Sequence, residues 1–535
     1  MNHPQDKENQ RMCFRQASLL VVLLCLTAAA PSAPVIDIQQ GRLSGTSDAG
    51  IEVFKGIPYA QPPIGALRWH APETALPWSN TRTATNFGHA CLQEPRPSLG
   101  TAPSEDCLYL NVWRPSVIPA PIPVLLWIHG GGDLGGAASQ PVYDGSAFAR
   151  RGLVFVSFNY RLGRAGFFDH PALERAHEGT VGNFAIMDML AALHWVQSNA
   201  AAFGGDPHRV TLMGESSGAA SEIALLISPQ ARGLFSQAIV LSGASRDFTL
   251  GGLTAVGGFD NAATRGLRFA QQHGIDGTDA DALLKLRELP IDALLADADI
   301  GLGDHTTYTG GEIQDGSIIP SAPQAAFERG RANFVPTLVG STSQELPAIG
   351  PTCVNDPLGF FVENEAIARR LYAAVPAAEL GSTLSGNVAM NEPARFLADV
   401  MTKHGQPAWL YRFSYVRTAD RATQPLAAHG SDNAFTFDTV AQRAASPEDE
   451  AMAQTVNAFY ANFALHQNPN APGLPLWKQF TANDDDLMNF TADRGARFER
   501  DPIADNINLI THARASRGMT YRTALPATNF IFGCK

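Results

Sequence analysis

Three residues of this 535-residue chain have the types and setting to carry acyl transfer together: Ser216, Glu345 and His429. A serine hydroxyl at neutral pH is a weak nucleophile, so it needs a base, and the base needs an acid that orients it and stabilises its charged form. Gly214-Glu215-Ser216-Ser217-Gly218 suits such a nucleophile, because its glycines permit a strained turn that lifts one serine hydroxyl above a sheet. The pattern selects Ser216 and leaves Ser217 to offer its backbone N–H. A fourth part is a place for the negative charge that builds up on the attacked carbonyl. Consecutive glycines in "IHGGGD" (128–133) leave N–H groups open to close approach, so Gly131 and Gly132, with the N–H of Ser217, are the expected oxyanion donors.

These residues need elements to hold them. The runs "PVLLWI" (123–128), "LVFVSF" (153–158), "RVTLM" (209–213), "QAIVLS" (237–242), "PTLVG" (336–340) and "AWLYRFSYV" (408–416) are short and apolar throughout, as strands covered on both faces are. Helical patterns lie between them. One covers 184–204, with Ile186, Leu190, Leu193 and Val196 on one stripe, and another follows Ser216 directly. The alternation predicts an α/β fold with a mostly parallel sheet wrapped by helices on both sides and long insertions, one of them over about 245–335. The turn-rich segment before residue 70 predicts an antiparallel edge. In such a sheet the functional groups gather beyond the carboxyl ends of the strands. Glu345 and His429 follow "PTLVG" and "AWLYRFSYV", whereas Glu312, Asp315 and His404 precede those strands, and this selects the acid and the base.

Composition narrows the remaining possibilities. Apolar residues make up 45% of the chain and charged residues 17%, which is globular composition. The formal charge of −12, without basic runs beyond pairs such as Arg150 and Arg151, sets aside a nucleic-acid partner. No Cys/His cluster has ligand spacing, so neither a metal nor an organic cofactor is expected. Arg11 and Arg15 precede "ASLLVVLLCLTAAAPSA", which has the pattern of a secretory signal peptide over residues 1–33 with cleavage near 29–33. Met12 is an alternative start, and the apolar stretch is too short to span a bilayer. The expectation is one exported domain over 34–535, secreted or periplasmic. Loss of the leader leaves Cys91, Cys107, Cys353 and Cys534, which allow three pairings. The short Cys91–Cys107 loop is the favoured one; Cys353–Cys534 follows only by elimination.

The chain resembles the type-B carboxylesterase family along nearly its whole mature length. The resemblance rests on "FKGIPYAQPPIGALRW" (54–69), "SEDCLYLNVW" (104–113), "WIHGGG" (127–132), "NYRLG" (159–163), "AALHWVQSNAAAFGGDPHRVTLMGESSGA" (191–219), "GSTSQE" (340–345) and "HGSDNAFTF" (429–437). It implies an α/β-hydrolase fold, hydrolysis of small carboxylic esters, and a Ser-Glu-His triad at Ser216, Glu345 and His429. It also implies a Cys91–Cys107 disulfide, structural ion pairs Arg68–Glu105 and Arg161–Asp188, and a supporting role for Asp432 behind the histidine. Two departures concern the substrate. Asp133 stands where the family has an aromatic residue, and Arg246 falls near the acyl side of the pocket; the plain reading is that both face solvent, and the sharper one is that they make the pocket more polar, with Arg246 favouring anionic acyl groups, tricarballylate esters of fumonisins among them. Competing readings are a non-catalytic recognition protein on the same fold, and an acyltransferase or thioesterase using the same triad.

Overall fold

The structure is a computed structural model that describes residues 33–246, 253–254, 261–296, 307–308, 310–345 and 357–517. The leader segment, Cys353 and Cys534 lie outside the described residues. Eleven strands form the main sheet: β1 (Thr46–Asp48), β2 (Ile51–Pro58), β3 (Tyr109–Pro115), β4 (Ile122–Ile128), β5 (Val154–Phe158), β6 (Gly205–Glu215), β7 (Gln237–Leu241), β8 (Thr337–Thr342), β9 (Ala408–Phe413), β10 (Asp486–Thr491) and β11 (Gly495–Arg500). Their order is β11-β10-β9-β8-β7-β6-β4-β5-β3-β2-β1. The seven strands from β10 to β5 are mutually parallel, while β11, β3, β2 and β1 run antiparallel at the two edges.

Continuous apolar runs become strands here because both sheet faces are covered. Along β4, Val124, Leu126 and Ile128 join one core while Leu125 and Trp127 join the other. The same period of two divides β9, with Ala408 and Leu410 on one face and Trp409, Tyr411 and Phe413 on the other. Helices α1 (Phe184–Asn199) and α2 (Ser217–Ile227), together with α3 (Glu392–Lys403), pack on the first face; α4 (Pro447–His466) packs on the second. Helix α5 (Ala504–Arg517) closes the described chain.

The expected stripe on α1 is wider than the sequence pattern suggests. Ile186, Leu190, Leu193 and Val196 are buried, and so are Phe184, Met187, Asp188, Met189 and Trp195, so this helix is enclosed nearly all round. Between β7 and β8 the chain adds four short described helices, Ala262–Gln272, Ala280–Arg287, Ile291–Leu295 and Pro323–Glu328, and among the described residues no strand of the main sheet. No helix among the described residues is long and apolar enough to cross a membrane. The disulfide Cys91–Cys107 is formed, as are the Arg68–Glu105 pair at 2.7 Å and the Arg161–Asp188 pair at 2.7 Å.

Candidate active site

The turn at Ser216 follows from close packing. Strand β6 ends at Glu215 and α2 begins at Ser217, so Ser216 alone makes the reversal, at φ 55° and ψ −126°. That left-handed backbone is strained for any residue with a Cβ, and such strain collects where function over-determines geometry. Gly218 makes it possible: a Cβ there would lie 2.3 Å from the Ile128 carbonyl oxygen, so only glycine lets α2 start against the end of β4.

Glu345 and His429 come from different strands, and a single bridge brings them side by side. Gln344 and Ala428, the residues immediately before them, form an isolated parallel β-bridge, reinforced by the Gln344 amide donating to Ala427 O at 2.9 Å. His429 Nδ1 then meets Glu345 Oε2, and His429 Nε2 lies 2.8 Å from Ser216 Oγ. A carboxylate at Nδ1 requires the proton on that nitrogen, which leaves the Nε2 lone pair facing the serine hydroxyl. Thr342 donates to Glu345 Oε1 from its amide at 2.7 Å and its hydroxyl at 2.9 Å, so the second carboxylate oxygen is fixed as well.

Electrostatics separate the acids around this chain of contacts. Burial opposes charge on Glu345, yet the His429 charge and hydrogen bond, with the Thr342 amide, hold its carboxyl below the ordinary value. Burial likewise opposes charge on His429, but Glu345, Glu215 and Asp432 outweigh it and raise the imidazole above its ordinary value. Asp432 is fully buried and is pushed up to about 7, first by burial and then by the charges of Glu215 and Glu345. Glu215, the residue before Ser216, lies 3.5 Å from His429 Nε2. Sequence reasoning passed over it, although its place inside the G-x-S-x-G pattern already put it beside the serine.

The glycine loop packs against the turn at Ser216. Gly130 packs against the serine, since a Cβ there would come 2.9 Å from Ser216 Cβ. Gly131 has φ 128°, and a Cβ on it would meet Gly135 O at 2.0 Å, so the loop tolerates no side chain there. The carbonyl of Gly131 accepts from the Gly135 amide at 3.1 Å. Among the described residues, no hydrogen bond takes the N–H of Gly131, Gly132 or Ser217 as its donor, so all three remain open to a ligand. Ser217 and Asp133 are joined directly, the Asp133 amide donating to Ser217 Oγ at 3.1 Å.

Two expected pocket residues behave differently from the expectation. Arg246 is buried and committed: it donates to Glu392 Oε1 at 2.5 Å and to Gln324 Oε1 at 3.3 Å, and its guanidinium lies 4.0 Å from the Phe396 ring centroid. A guanidinium spent on an internal carboxylate is not offered to an acyl carboxylate. Asp133 is fully buried behind the glycine loop, not exposed on a pocket wall. Among the described residues, no group of His, Cys, Asp and Glu side chains could hold a metal ion.

Comparisons with known proteins agree with this geometry. The family model described as the carboxylesterase family matches residues 32–375 and 376–506. A fumonisin B1 esterase from Sphingopyxis macrogoltabida is 34% identical over 86% of this chain and 86% of its own length. A para-nitrobenzyl esterase from Bacillus subtilis (strain 168) is 31% identical over 88% of this chain and 97% of its own. A solved structure titled PNB esterase superposes with a TM-score of 0.75 at 30% identity, covering 90% of this chain and all of its own.

Proposed function

The chain belongs to the carboxylesterase family and is a carboxylic ester hydrolase, and we propose that Ser216 is the residue that takes up the acyl group. The observation that carries this reading is the unbroken contact from Glu345 through His429 to Ser216 Oγ. His429 Nε2 removes the hydroxyl proton as Oγ attacks the ester carbonyl carbon. The carbonyl oxygen becomes an anion held by the N–H groups of Gly131, Gly132 and Ser217, where each donor lowers the barrier by about 2.7–4 kcal/mol. Protonated His429 then gives its proton to the leaving alkoxy oxygen, the alcohol departs, and the acyl group remains on Ser216. Water enters, loses a proton to His429 and attacks the acyl carbon, and His429 returns that proton to Ser216 Oγ as the acid leaves. Throughout, Glu345 stays ionised and stabilises the imidazolium.

The substrate class is small carboxylic esters. A relative whose name gives fumonisin B1 as its substrate supports testing bulky polar esters, but Arg246 supplies no preference for anionic acyl groups. Export is part of the same proposal: the leader-like segment supports it, and a disulfide at Cys91–Cys107 suits an oxidising compartment. The test is Ser216→Ala. Hydrolysis of a para-nitrophenyl ester should fall by about 10⁶-fold in kcat, as removal of such a nucleophile does elsewhere, while the thermal midpoint stays within a few degrees. Activity that survives the substitution would overturn the assignment.

A further inference from the structure

Behind the glycine loop lies a set of polar side chains that the mechanism above does not use. Asp133 is held in a left-handed backbone at φ 60°, its amide bonded to Ser217 Oγ at 3.1 Å and its carbonyl accepting from the Gly163 amide at 2.6 Å. Its side chain is fully buried, and neither carboxyl oxygen has a hydrogen-bond partner among the described residues. The wall around it is closely fitted: Gly311 lies so near that a Cβ there would stand 2.8 Å from Asp133 Oδ2. The next residue, Glu312, is also buried and accepts from Ser221 Oγ of α2 at 3.1 Å. Both acids are thus attached, through Ser217 and Ser221, to the helix that follows the nucleophile.

Resting on the esterase reading of Ser216, we propose that Ser217 and the acids Asp133 and Glu312 are positioning residues for the oxyanion hole. The Ser217 hydroxyl ties the glycine loop to the start of α2, and the buried Asp133 carboxyl stays uncharged while the hole is in use. The first part follows from topology. The donors of the hole come from two separate chain segments, the loop after β4 and the first residue of α2. The Asp133–Ser217 bond spans those segments directly beside the donors, so one residue offers its N–H to the substrate and its Oγ to the opposite side of the hole. Displacements of about 1 Å in such a site cost up to about 100-fold in rate.

The second part follows from charge. The oxyanion is negative, and an ionised carboxylate directly behind its donors would oppose it. The groups that face Asp133 are Ser217 on α2, Tyr160 after β5, Tyr308 and Glu312, with the Arg164 guanidinium 5.7 Å from the Tyr308 ring. Arg164 donates to the carbonyls of Ala293, Leu294 and Ala296 and to Thr307 Oγ1. Burial, then the charge of Glu312, raises the Asp133 carboxyl well above its ordinary value, with Ser217 opposing only in part; burial raises Glu312 to about 7. Raising the pH far enough to ionise Asp133 places negative charge behind the hole, so activity falls on the alkaline side.

Two variants test this, with Ser216 labelling by a fluorophosphonate measured on the same preparations. Ser217→Ala keeps the N–H and removes Oγ: kcat should fall about tenfold with KM little changed, and affinity for a trifluoromethyl ketone, which mimics the tetrahedral state, should fall in proportion. Asp133→Asn cannot ionise, so the alkaline fall in kcat should move upward by a pH unit or more, whatever the height of the plateau. Unchanged kcat and unchanged ketone affinity in Ser217→Ala would overturn the first part. An alkaline limb in the same place for Asp133→Asn would overturn the second. Failure of wild-type protein to label at Ser216 would instead overturn the esterase reading on which both stand.

Discussion

Glu345 and Asp133 are both buried carboxyls within one site, yet the protein drives them in opposite directions. Glu345 accepts from the Thr342 amide and hydroxyl and faces the His429 ring, and its carboxyl is held below the ordinary value. Asp133 has no hydrogen-bond partner for either carboxyl oxygen among the described residues and another acid as its neighbour, and its carboxyl is driven up. Burial is common to both, so burial does not decide the charge; the partners do. The same pocket therefore holds one acid driven towards its ionised form and another driven towards its neutral form. Their contributions to stability run oppositely with pH. The Glu345 contribution is present above about pH 4.5 and is lost as the pH falls through its lowered value, whereas that of Asp133 and Glu312 is complete below about pH 4 and declines as the pH rises through their raised values, about 7 for Glu312.

The largest effect that would break this comparison is expected at the ionised member. Glu345→Gln keeps the size of the side chain but removes the charge and permits the wrong imidazole tautomer, so kcat should fall by about 10⁴-fold. The acid limb of kcat/KM should move to lower pH at the same time, because the charge that raises His429 is gone. A pH-rate profile measures both, and an unmoved limb would detach Glu345 from His429.

A smaller effect, in stability instead of rate, would sharpen the comparison with a third buried acid. Asp188 is fully buried like Asp133, but it takes the Arg161 guanidinium at 2.7 and 2.8 Å and the Arg161 amide at 3.0 Å. Asp188→Asn leaves a buried cation without its counter-charge and should cost about 3–5 kcal/mol in a denaturant titration. The rate per folded molecule should stay near that of wild type. Asp133→Asn removes no counter-charge and should cost far less; a reversed order would show that partners do not govern these sites.

How much of this the sequence revealed follows from what kind of pattern each feature leaves. The parallel core strands were legible because strands buried on both faces are apolar at every position, and the carboxyl-end rule then placed Glu345 and His429 on the correct edge. The close packing of the glycine loop was legible because a run of three glycines marks close backbone approach. The Gln344–Ala428 bridge was not, since it joins loop residues through main-chain atoms and carries no side-chain signature. Arg246 was misjudged because its partner Glu392 lies 146 residues away, on a helix whose approach no local pattern encodes. Glu312 was set aside by the rule that found Glu345: it precedes its strand, and its role behind the loop depends on a fold-back that only the tertiary structure displays.

The central claim is that Ser216 is the nucleophile, and covalent labelling tests it most directly. Folded protein treated with a fluorophosphonate near pH 8 should lose ester hydrolysis in step with one equivalent of label, and peptide mapping should place the adduct on Ser216. Replacement of His429 by alanine should slow that labelling by orders of magnitude. An active, folded protein that carries its adduct on any other residue, or that resists labelling while still hydrolysing esters, would contradict the account.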